Sequence, residues 1–151
     1  MTKLLVENEV EGSELPTALI ASFEALKQSV AHAHNLIGTV SLILIDDDQM
    51  CTLNSQFRSK NRTTDVLSFD LGPLPGLQGS EEVVCKEIYI SVEQAHRQAL
   101  DLGVSPSEEL ARLFVHGLLH LCGWDHETEE KLHVMEQETD AILARSGLLP
   151  Q

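Results

Sequence analysis

Residues 105–126 read SPSEELARLFVHGLLHLCGWDH, and the fold of the chain turns on how this stretch is read. Ser105 has the hydroxyl of a helix N-cap, Pro106 suits the first helical position, and Glu108 falls three residues after the serine. Together they satisfy backbone donors that a helix start leaves open. At about 100° per residue, Leu110, Leu113, Phe114, Leu118 and Leu121 form one apolar face, and Ala111, Val115, Leu119 and Cys122 carry it around most of the circumference. The pattern predicts a buried helix with one narrow polar stripe: Glu109, Arg112, His116 and His120. Gly117 lies inside that helix, where glycine costs roughly 1 kcal/mol relative to alanine, so something is expected to pack close against the backbone there.

His116 and His120 are four residues apart and therefore share a helix face, one turn from each other. Gly123 is placed to end the helix in a left-handed turn, which brings His126 back toward the pair. Three neutral imidazoles favour zinc over magnesium or calcium, and three protein ligands leave a fourth position for water or substrate. Nickel, copper and iron are compatible with the same ligands. The competing reading is three unrelated histidines with accidental spacing. The motif is close to the metallopeptidase pattern His-Glu-x-x-His, but Gly117 stands where the peptidase has its general base, so peptide hydrolysis is disfavoured. Asp125 and Glu127 flank His126 and either hold an imidazole tautomer or are solvated acids.

Two further stretches extend the pattern: Leu53-Asn54-Ser55-Gln56-Phe57-Arg58-Ser59-Lys60, and Thr64-Asp65-Val66-Leu67-Ser68-Phe69. With His-Gly-x-Leu-His-Leu-x-Gly-Trp-Asp-His at 116–126, the chain from about residue 40 onward resembles the YbeY-type rRNA maturation factors, single-domain metal-dependent endoribonucleases. The resemblance implies one domain over residues 1–151, zinc on His116, His120 and His126, and a role in activity for Arg58. It further implies single-strand-specific cleavage in 16S rRNA 3′ end maturation and ribosome quality control. Where that family usually has Gly-Asp before an Ile-x-Ile-Ser strand, this chain has Lys86-Glu87.

Arg58, Lys60 and Arg62 place three of the ten Lys and Arg residues within five positions. Such a loop is a candidate phosphate contact, or else a solvated basic segment offsetting nearby acids. The formal charge of −14 repels a polyanion over most of the surface. Binding to naked RNA is expected to be weak, with approach through a local basic patch, the metal or a recruiting protein; the resemblance implies work around the small ribosomal subunit, where a ribosomal protein or assembly GTPase can position the chain.

At 151 residues and 42% hydrophobic content, the chain is long enough to bury a core. Cys51, Cys85 and Cys122 show neither disulfide nor thiolate-metal spacing and read as reduced cytoplasmic thiols. The first twenty residues carry four glutamates and no basic head, against a signal peptide, and no apolar run reaches membrane-spanning length. Lys3 to Glu9 reads as a strand, Leu15 to about His34 as a helix, and Thr39 to Ile45 as a strand. Asp46-Asp47-Asp48 then favour a helix start, with a magnesium site as the minority reading. Asp65 to Phe69 and Val84 to Ile90 read as strands around a Gly- and Pro-containing loop from Gly72 to Gly79, and Ser91 to Leu102 and Glu127 to Arg145 as helices. His32, His34, His96 and His133 read as ordinary histidines, and Trp124 and Phe69 as packing residues. The expected fold is α+β: a small mixed four-stranded sheet with about five helices on both faces, the histidine helix central. The leading functional reading is a zinc endoribonuclease. A metal-stabilised, non-catalytic ribosome-assembly factor and a zinc hydrolase of another substrate class are the alternatives.

Overall fold

A computed structural model describes residues 2–10, 15–58, 65–75, 82–124 and 126–146. In chain order the elements are Thr2–Asn8 (β1), Thr17–His34 (α1), Gly38–Ile45 (β2), Asp47–Arg58 (α2), Val66–Pro75 (β3), Glu82–Ser91 (β4), Val92–Leu102 (α3), Pro106–Leu121 (α4) and Glu129–Arg145 (α5). The strands form one mixed sheet in the order β1-β2-β4-β3. β1 and β4 flank β2 in parallel, with Leu4 opposite Val40 and Leu42 opposite Ile88, while β3 runs antiparallel to β4 with Leu67 opposite Tyr89. The expected class, strand count and helix count all hold.

Alternation along the strands sends side chains to two unequal cores, because successive residues of a strand face opposite sides of the sheet. Val40, Leu42, Leu44, Ile88 and Ile90 join Phe23, Leu26, Phe114, Leu118 and Ile142 in the larger core beneath α1, α4 and α5. Ile43, Ile45 and Leu67 face the other way and are covered by Met50 and Leu53 of α2. Phe69 and Tyr89 meet edge to face at this smaller core, with ring centroids 5.8 Å apart. Burial pushes the Tyr89 hydroxyl up to about 12, with Glu87 adding to the effect.

Helix starts follow local chemistry. Asp46 accepts from the Gln49 backbone N–H at 2.7 Å while the Gln49 side chain accepts from the Asp46 N–H at 3.1 Å, a reciprocal cap at the start of α2. Asp47 accepts from Ser91 Oγ at 2.7 Å and pairs with Arg97 at 2.8 Å, so the acidic run caps α2 and ties it to the β4–α3 junction. α5 starts two residues later than expected because Thr128, not an earlier residue, caps it through the Lys131 N–H.

The loop expected from Gly72 needs correction. β3 continues to Pro75, opposite Glu82, after a bulge between Asp70 and Gly72. Gly72 has φ +70°, as bulge chemistry favours, and β3 is an edge strand, the place in a sheet where proline is tolerated. The remainder of that loop lies outside the described residues.

Candidate metal centre and its cleft

α4 starts as its sequence dictates, with Ser105 Oγ accepting from the Glu108 N–H at 3.1 Å and Pro106 in the first position. Its apolar residues Leu110, Leu113, Phe114, Leu118 and Leu119 are buried in the larger core. Gly117 is where the helix meets the sheet. A Cβ there would stand 2.9 Å from Ile88 Cγ2 and 3.0 Å from Ser68 Oγ, and Ser68 Oγ donates to the Gly117 carbonyl at 3.3 Å. This is the close neighbour that the glycine implied. It also explains why no glutamate follows His116: at this position a side chain would run into β3 and β4.

The C-terminal turn brings in the third histidine. Gly123 adopts φ +94° while its N–H bonds the His120 carbonyl and the Trp124 N–H bonds the Leu119 carbonyl, both at 3.0 Å. Trp124 then packs against the larger core and lies edge-on to His34, with centroids 5.3 Å apart. His34 Nε2 contacts the Glu138 carboxylate at 2.5 Å, so α1 and α5 together bracket the returning chain. His34 is thus a packing histidine, and His32, His96 and His133 are exposed and outside the cluster.

The structure brings His116, His120 and His126 together, one ligand nitrogen from each lying within 4.8 Å of the others. Ring centroids are 4.8, 5.1 and 5.5 Å apart. Metal–nitrogen bonds of ~2.0–2.1 Å bring imidazole nitrogens closer together than this, so the rings would turn inward to share one ion. His116 is held neutral, its pKa lowered to about 4 by burial first, then by His120, His126 and Arg112. A neutral imidazole is the form that ligates, so the donor set fits a divalent transition metal.

The histidines line a cleft of about 810 Å³. The opposing wall comes from β3 (Val66, Leu67, Ser68 and Asp70) and from Asp65 just before it, with Asn54 of α2 and Glu136 of α5 also lining the cleft. Asn54 is almost wholly buried. Arg112, one turn before His116, lines the cleft as well and is gripped by Glu109 through Nε–Oε1 at 2.7 Å and Nη2–Oε2 at 2.6 Å.

Arg58 closes α2 one turn after Asn54; its side chain, and Lys60, Arg62 and Asp125 altogether, lie outside the described residues. Glu127 is exposed. Cys122 caps the end of α4 and packs against the larger core, and burial raises its thiol pKa. Cys51 and Cys85 are likewise in no disulfide. Among the described residues no helix is long and apolar enough to cross a membrane. Asn54, Asp65, Ser68, Arg112 and Glu136 were not expected at the site. For Arg112 a signal existed, its place in the polar stripe four residues before His116. Asn54, Asp65 and Ser68 lie in two of the stretches that carry the resemblance, but only the assembled fold places them at the cleft.

The family profile described as endoribonuclease YbeY matches residues 5–147. A Pelotomaculum thermopropionicum protein named endoribonuclease YbeY is 38% identical over 148 residues, covering 95% of this chain and 94% of that one. A Desulfitobacterium hafniense protein of the same name is 40% identical over 133 residues, covering 82% and 85%. The solution structure of TM1509 from Thermotoga maritima superposes with a TM-score of 0.59 at 24% identity, over 94% of this chain and 90% of that one, a likeness of fold. With the profile spanning nearly the whole sequence and such relatives covered almost end to end, the chain belongs to the endoribonuclease YbeY family.

Proposed function

We propose that the protein is a zinc-dependent endoribonuclease specific for single-stranded RNA, acting in 16S rRNA 3′ end maturation and ribosome quality control. The observation that carries this reading is the convergence of three histidine nitrogens within 4.8 Å on the wall of an open cleft, in a chain whose relatives are named endoribonucleases. His116 and His120 are half-buried, so a phosphate must enter the cleft to reach them. A flexible single strand can bend inward, whereas a stacked duplex presents its backbone on a stiff cylinder.

His116, His120 and His126 would hold the zinc, which when bound supplies Lewis-acid polarisation of the phosphodiester. The protein contributes the rest. Gly117 and Gly123 set the helix against the sheet and return the third ligand. Asp65 and Glu136 line the cleft and are its candidate proton acceptors. Arg58, the last residue of α2, would stabilise the negative charge that develops on the phosphate oxygens, and Lys60 and Arg62, next in sequence, are further candidate phosphate contacts. A surface of net charge −14 makes recruitment by a ribosomal protein or assembly GTPase in the cytoplasm the route to the small subunit.

The test is cleavage of precursor small-subunit rRNA by the zinc-loaded protein and by Arg58→Ala. Wild type is expected to cut and Arg58→Ala to lose at least about a hundredfold in rate, with no change in melting temperature. Failure of highly purified, zinc-loaded wild type to cut, while it still binds ribosomal components, would replace this reading with a metal-stabilised assembly factor.

A further inference from the structure

Glu109 is a carboxylate with 0% of its side chain exposed. Burying a charge this deeply is unfavourable unless its partners are well placed, and here they are. Gln98 of α3 donates to Oε2 at 2.7 Å, and Arg112 meets both oxygens with Nε and Nη2. The guanidinium has five N–H donors in a rigid plane. Two are spent on Glu109, and among the described residues Arg112 has no other hydrogen-bond partner. The Nη1 side of the plane, with three donors in all, is left over on a side chain that is 33% exposed and lines the cleft.

Arg112 lies four residues before His116, one turn along the same helix face, so the two side chains are neighbours. Among the described residues that line the cleft it is the sole arginine or lysine, against Asp65, Asp70 and Glu136. Asp70 is paired with Lys86 at 3.6 Å, while Asp65 and Glu136 interact electrostatically with Arg112, so Arg112 is the fixed cation that makes a seat for phosphate tolerable among these carboxylates. A planar fork with one edge already anchored loses little further freedom on gripping an oxyanion.

We propose that Arg112 is a phosphate-binding residue of this cleft: Gln98 and Glu109 fix one edge of its guanidinium, and the free edge takes a non-bridging oxygen of the RNA backbone beside the three histidines. This rests on the endoribonuclease reading for the identity of the ligand. The positioning of Arg112 by a buried carboxylate is the part specific to this site.

The experiment measures binding of an uncleavable 2′-O-methyl oligouridylate to the zinc-loaded protein over a range of salt. Arg112→Met is expected to weaken binding about tenfold and to lower the slope of log affinity against log salt by about 0.7, one single-strand phosphate contact. Because that variant strands a buried carboxylate, the pair Glu109→Gln with Arg112→Met is measured beside it. If Arg112 only neutralises Glu109, removing both charges restores wild-type affinity and slope, and the proposal fails. If Arg112 grips phosphate, the double variant stays as weak as the single one, at wild-type zinc content. Wild type that binds this oligonucleotide without cutting its 2′-hydroxyl counterpart sinks the nuclease reading yet leaves the Arg112 result standing. Wild type that cuts, with a double variant of unchanged affinity, overturns Arg112 alone.

Discussion

Alanine at Gly117 tests how the histidine helix is seated. In an exposed helix this change gains about 1 kcal/mol, since alanine orders the backbone at less entropic cost. Here the added carbon would lie 2.9 Å from Ile88 Cγ2, 3.0 Å from Ser68 Oγ and 3.2 Å from Ile88 Cδ1. Ile88 is buried, β-branched and on a strand paired on both sides, so it cannot swing clear. Overpacking of this kind costs about 1–3 kcal/mol, which outweighs the helix gain and leaves a net loss of about 1 kcal/mol. For a chain of this length that lowers the melting temperature by roughly 2–4 °C. Thermal unfolding with chelator present reads the packing term without metal linkage, and zinc titration then reads the second consequence. α4 must lift from β3 and β4, so His116 and His120 move relative to His126 and zinc binds more weakly. Ile88→Ala removes both crowding carbons, so its combination with Gly117→Ala should be less damaging than the sum by about 1 kcal/mol. A rise in melting temperature on Gly117→Ala, with zinc affinity unchanged, refutes the seating described here.

His120→Ala is expected to reduce bound zinc from one per chain to a trace by elemental analysis, and to abolish the stabilisation by zinc, which in wild type should be about 2.7 kcal/mol at a free zinc concentration a hundredfold above Kd. The metal-free protein should lose stability as pH falls from about 6.5 to about 4. His116 is neutral when folded, with its pKa lowered to about 4, but takes a proton near 6.5 when unfolded. The unfolded state therefore binds more protons across that window, and stability rises with pH at up to ~1.4 kcal/mol per unit. Chemical denaturation at stepped pH should show this slope in wild type, smaller in His116→Gln, and equal slopes would remove the buried neutral imidazole from the account.

What could be read from the chain in advance was what local chemistry decides. The Ser105-Pro106 start, the aspartates at the start of α2 and the glycine turn after α4 act within a few residues, and each is found where the residues imply it. The extent of β3 could not be read that way, because Gly72 and Pro73 belong to the sheet only through pairing with Cys85 and Val84 from another strand. Gly117 announced a close neighbour, but Ile88 and Ser68 arrive from two different strands. Arg112 was visible as a polar residue on the histidine stripe. Its restraint depends on Gln98, which reaches Glu109 from a separate helix, and no periodicity within α4 carries that information.

The bracket around Trp124 bears on the order of events during synthesis. His34 is made early, but Glu138 is made after all three ligands, and α5 must dock before the pair can hold the returning turn. A chain extended only to residue 126 thus has His116, His120 and His126 but lacks the Glu138 side of the bracket around Trp124. Docking of α5 completes that bracket, and a truncation ahead of residue 138 should yield a chain that has His116, His120 and His126 but a weaker grip on a metal ion.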